Sequence, residues 1–121
     1  MKKGEAISIV NAYLNDKILN SKNTNLSKIN KKKPVWWFNI PPERFQNDLN
    51  LLLNEKDKFI WLQIPANKIS DPEKYFRIRK DKNLVDIEIS AQVGVYQMRD
   101  VKSGGMGYNF EPHIKHIFVY N

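Results

Sequence analysis

A chain of 121 residues, 41% hydrophobic and 12% aromatic, has enough apolar material for one domain with a single modest core, which excludes a wholly disordered chain. It has no cysteine, so disulfides and cysteine-ligated zinc are excluded, and a reducing, cytoplasmic (intracellular) location is allowed. Of its 20 basic and 13 acidic groups, residues 1–33 hold eight lysines against Glu5 and Asp16, so nearly all of the +7 net charge falls in the first third and the remainder is almost neutral.

That asymmetry divides the chain into a basic N-terminal helix and connector, 1–33, and an α+β body, 34–121, together one compact domain. No apolar stretch approaches the roughly 18–20 residues that span a bilayer. The start of the chain does not read as a signal peptide, because Asn11 and Asn15-Asp16 interrupt its apolar run.

Residues 5–20 have helical spacing, with Ala6, Ile7, Val10, Tyr13, Leu14 and Ile18 near one stripe. Residues 21–33 are rich in Lys and Asn and read as a connector anchored by Leu26 and Ile29. Val35-Trp36-Trp37-Phe38-Asn39-Ile40 is a strand, closed by Pro41-Pro42. A second helix is expected from Pro42 to about Asn54, with Phe45, Leu49, Leu52 and Leu53 on one face. Phe59 to Ile64 is a continuous apolar run that fits a strand buried on both faces. Ser70-Asp71-Pro72-Glu73 reads as a turn or short helical start.

Tyr75 to Arg79, Lys80-Asp81-Lys82-Asn83 and Leu84 to Gln92 make a hairpin. Val85, Ile87, Ile89 and Ala91 face one way, and Asp86, Glu88, Ser90 and Gln92 the other. A strand over Val95–Val101, a glycine-rich loop over Ser103–Gly107 and a last strand over Ile114–Tyr120 complete the chain. The predicted fold class is α+β: an N-terminal helix and basic connector, then a small, mostly antiparallel sheet with one further helix packed on it.

Five groups of residues carry chemistry. Lys28, Lys31, Lys32 and Lys33 run into Val35-Trp36-Trp37-Phe38, and lysines beside flat rings suit a polyanion whose bases stack. On a strand Trp36 and Trp37 face opposite ways, so Trp37 can be free when Trp36 is core. Arg77 and Arg79 share a face. They pair with Asp86 and Glu88 if the hairpin register aligns them, and otherwise extend the basic surface.

Asp86 followed by Asp100-Val101-Lys102 loosely matches a metal-nuclease pattern, in which Asp86 and Asp100 hold Mg²⁺ and Lys102 orients or activates water. The Ser103–Gly107 loop lacks any nucleotide-binding glycine pattern. His113 and His116, three apart in a strand, face opposite ways and cannot share a metal.

The leading expectation is a domain that binds the phosphate backbone of DNA or RNA through its lysine-rich segment, mainly independently of sequence. The residues expected to carry this are Lys28, Lys31, Lys32, Lys33, Trp37, Arg77 and Arg79. One alternative is the Mg²⁺-dependent nuclease; otherwise no cofactor is implied. Another is a non-enzymatic protein-interaction module or homodimer using the first helix and the aromatic strand. An anionic membrane surface is a lesser variant.

Overall fold

Val35–Ile40 is rich in residues that favour strands, and only its Trp37 and Asn39 are not buried. In the computed structural model, which describes residues 1–94 and 96–120, this segment is a strand of a three-stranded sheet with one buried and one outward face. Among the described residues seven strands follow an N-terminal helix: α1 (Lys3–Leu14), β1 (Thr24–Lys28), β2 (Val35–Ile40), β3 (Leu49–Asn54), β4 (Lys58–Ile64), β5 (Arg77–Arg79), β6 (Leu84–Ser90) and β7 (Ile114–Val119). They form a four-stranded sheet in the order β1-β3-β4-β7 and a three-stranded sheet in the order β2-β6-β5.

The inward side chains of both sheets meet in one core. Trp36, Phe38 and Ile40 of β2 and Val85, Ile87 and Ile89 of β6 join Leu49, Leu51 and Leu53 of β3 and Ile60, Leu62 and Ile64 of β4. Fully burying each such side chain is worth about 1.5–3 kcal/mol. The opposite face of the four-stranded sheet is covered by α1, through Ala6 and Val10 against Leu52, Phe59 and Trp61. The order of layers is therefore helix, sheet, sheet, and among the described residues no helix lies over the outer face of β2-β6-β5.

The α+β class and the N-terminal helix stand, as do the β2 strand, the doubly buried β4, the hairpin of β5 and β6 and the final strand. Four expectations are corrected. The helix stops at Leu14 rather than near residue 20. Asn15 adopts a left-handed conformation (φ 53°), and the Asn11 side chain exchanges two 2.9 Å hydrogen bonds with the backbone of Leu19.

The segment read as a connector contains β1, which pairs parallel to β3, so the sheets are not purely antiparallel. α1 is the one α-helix among the described residues. Pro42–Gln46 is a 3-10 turn, and Leu49–Asn54 is a strand buried at every position. Leucines satisfy helical and two-faced strand spacing equally, and core on one side with helix on the other selects the strand. The strand expected over Val95–Val101 begins at a residue outside those described. Tyr96–Met98 is a turn, and Arg99 and Asp100 form only isolated bridges.

Candidate nucleic-acid interface

The uncovered face is built by register. Trp37 lies opposite Glu88, and Asn39 opposite Asp86, which on its other side lies opposite Arg77. Indole, carboxylate, amide and guanidinium thus occupy neighbouring positions on three adjacent strands. β5 covers β6 only as far as Asp86; beyond it residues 98–101 continue the edge, with Ser90 N–H donating to Arg99 C=O (2.9 Å) and Val101 N–H to Glu88 C=O (2.8 Å). That continuation delivers Lys102 to the same face.

Asp86 is the hub, with its side chain only 2% exposed. Its Oδ1 accepts from Trp37 Nε1 at 2.7 Å, and its Oδ2 from Arg77 Nη1 at 2.9 Å, with Lys102 Nζ at 3.7 Å. Glu88 Oε1 accepts from Lys33 Nζ at 2.8 Å, and Lys102 Nζ stands 3.9 Å from Glu88 Oε2. Arg79 donates to Asn39 Oδ1 at 3.2 Å.

In two of the ion pairs the signs of charge lie at different depths. Lys33 and Arg77 are 50% and 47% exposed, while Glu88 and Asp86 are 13% and 2% exposed. At these two pairs the carboxylates are recessed and the cations face solvent, whereas Arg79 is 28% exposed and Asp81, 3.6 Å from it, 67%. Trp37 is 48% exposed on this face, whereas Trp36 and Trp61 are buried.

Lys33, Trp37, Arg77 and Arg79 of the expected residues are brought together. Lys31 and Lys32 are exposed on the β1–β2 loop and make no ion pair among the described residues. Lys28 ends β1 and borders a different cavity, with Met1, Lys56 and Tyr120. Sequence reasoning missed Lys102 and Asn39 as members of this face. Lys102 arrives through the edge continuation at Asp100, a long-range pairing with no local signal.

The nuclease expectation, with Asp86 and Asp100 holding Mg²⁺ and Lys102 beside them, is overturned. Among the described residues no group of three His, Cys, Asp or Glu side chains is placed to hold a metal ion. Both oxygens of Asp86 and one of Asp100 are engaged by donors of the protein itself. Asp86 is engaged by Trp37, Arg77 and Lys102. Asp100 Oδ1 accepts from the backbone N–H groups of Glu88 (3.1 Å) and Lys102 (3.0 Å).

Burial pushes the Asp100 carboxyl above its ordinary value of 3.8; the two backbone donors oppose the shift and the charges of Glu88 and Asp86 add to it. His113 and His116 have separate surroundings. His113 Nε2 and Tyr108 Oη share a 2.7 Å hydrogen bond, and burial, helped by Lys68, lowers the His113 pKa. His116 stacks on Tyr13 at 4.3 Å.

No protein-family model, curated protein or solved structure matches the chain. No helix among the described residues is long and apolar enough to cross a membrane. The physical character of the face is thus the ground for a functional reading.

Proposed function

We propose that the outer face of β2-β6-β5, with the lysine-bearing β1–β2 loop beside it, binds single-stranded nucleic acid through its phosphate backbone, largely independently of sequence. The observation that carries this reading is the half-exposed Trp37 indole set beside the half-exposed cations of Lys33 and Arg77, whose carboxylate partners are recessed.

Cations at this density neutralise phosphates and release counterions. A flat ring fixed through its Nε1–H keeps its π-face free for a base, and such stacking contributes about 1–3 kcal/mol. Lys31 and Lys32 extend the field without needing fixed positions, since phosphate attraction is not directional for lysine. The reading is non-catalytic and fits an intracellular location.

Tryptophan fluorescence tests it. Trp36 and Trp61 are buried, so quenching by an added oligonucleotide reports on Trp37. Saturable quenching that is lost in Trp37→Phe, together with a several-fold fall in affinity, is the expected result. Binding that leaves the fluorescence unchanged would place the contact elsewhere.

A further inference from the structure

We propose that the free edge of β7 pairs with the same edge of a second copy of this chain, antiparallel and centred on Ile117, so that two four-stranded sheets join into one. The residues are distinct from those of the cationic face, and the inference does not rest on nucleic-acid binding.

β7 closes the order β1-β3-β4-β7 and, among the described residues, pairs only with β4. A free edge offers unpaired N–H and C=O groups to another strand. Which groups point outward follows from the ladder. Lys58 C=O accepts from Glu55 N–H (2.8 Å), on the side of β3, whereas Tyr120 N–H donates to Asp57 C=O (2.8 Å), on the side of β7. Bonding alternates along an antiparallel strand, so Ile117 and Val119, opposite Ile60 and Lys58, turn their backbone groups away from β4.

The side chains at the same positions are open to solvent. Ile117 and Val119 are 43% and 70% exposed, two β-branched apolar residues on a strand with no acidic residue and one lysine, Lys115. β5, at the end of the other sheet, is by contrast three residues long and carries Arg77 and Arg79, features that discourage pairing.

The strand's own sequence selects its occupant. A register centred on Ile117 sets this residue against the partner's Ile117, and Val119 against the partner's Lys115, so no two like charges stand directly opposite. Combined with the pairing of β4, one face then carries Ile60, Ile117, the partner's Ile117 and the partner's Ile60 in an unbroken row. The other face puts Phe59 and Phe118, already stacked at 4.8 Å, in line with the partner's His116 and the partner's Trp61. Cross-strand aliphatic and aromatic pairs of this kind stabilise sheets, and an unrelated peptide would supply the backbone bonds without either row. The two-fold axis stands perpendicular to the sheet. Both copies of α1 therefore lie on one side and both β2-β6-β5 sheets on the other.

The test is sedimentation equilibrium of the full chain from micromolar to millimolar concentration, at low and high salt. The parent chain is expected to pass from the monomer mass to twice that mass. Each copy carries a net charge of +7, so added salt is expected to strengthen the dimer, the reverse of its effect on phosphate binding. Ile117→Lys sets two ammonium groups face to face at the axis, and Ile117→Glu two carboxylates. Each variant alone is expected to remain monomeric, and an equal mixture of the two is expected to recover the dimer mass.

A parent chain that stays monomeric at millimolar concentration would overturn the proposal. So would a dimer that persists in Ile117→Lys, since the contact would then lie on another surface. Folded variants that remain monomeric when mixed would overturn the register centred on Ile117.

Discussion

Trp37 and Asp86 sit diagonally across β2 and β6, and the indole Nε1–H donates to Asp86 Oδ1 at 2.7 Å while the ring remains half-exposed. One buried carboxylate thus orients an exposed aromatic ring, and the same carboxylate draws Arg77 to 2.9 Å. A polar contact beneath the surface thus fixes the aromatic ring above it.

Asp86→Ala is expected to cost about 1–3 kcal/mol of folding stability. The loss stays below that of a fully buried ion pair because Arg77 and Trp37 are both about half-exposed and can be hydrated once their acceptor is gone. Urea unfolding should give a lower midpoint with an unchanged slope. An unchanged midpoint would show that Asp86 does not fix this face.

Leu51→Ala and Leu52→Ala are each expected to cost about 2–5 kcal/mol. Leu51 points into the core between the sheets and Leu52 into the layer under α1, and both are 0% exposed. Chemical denaturation of the two variants checks this. A near-neutral effect at either position would contradict a β3 buried on both faces.

Asp100 gives a pH signature. Its carboxyl pKa is raised in the folded protein, chiefly by burial, so its titration favours the fold below its unfolded value and this contribution is lost as pH rises through the folded value. Asp100→Asn, which does not titrate, should therefore gain stability relative to the parent chain as pH rises from below 3.8 to neutrality. Thermal melts of both proteins across that range are the measurement. A constant difference would mean that the carboxyl is unperturbed.

Gly105→Ala places a methyl group against Asp100 Oδ2, and the carboxylate, held through Oδ1 by two backbone donors, has little room to retreat. A loss of about 1–3 kcal/mol is expected, as for overpacking of a closed site. Ala at Gly4, where no atom lies within 4 Å of the added Cβ, provides the control and should cost nothing through contact. Equal stability of the two variants would contradict the close packing at Gly105.

The hairpin was legible in the sequence because Val85, Ile87 and Ile89 alternate with Asp86 and Glu88 and a polar turn precedes them. Phe59–Ile64 was legible as a doubly buried strand for its unbroken apolar run. Leu49–Asn54 was not, because its periodicity fits two structures and the neighbouring layers choose between them.

Thr24–Lys28 was hidden by its polar composition: its pairing with β3 rests on backbone hydrogen bonds, with only Leu26 to mark it. The candidate face was half legible. Trp37, Arg77 and Arg79 follow from strand alternation, as does the pairing of arginine with Asp86. The arrival of Lys102 and the burial of the acids beneath the cations depend on residues 98–101 docking beside β6, which no local pattern records.

Affinity for a labelled single-stranded oligonucleotide, measured across a salt series, tests the central claim most directly. The logarithm of the affinity should fall linearly with the logarithm of salt concentration, and each of Lys33→Ala and Arg77→Ala should reduce the slope by about 1. An absence of binding at low salt, or slopes unaltered in both variants, would contradict a nucleic-acid interface on this sheet.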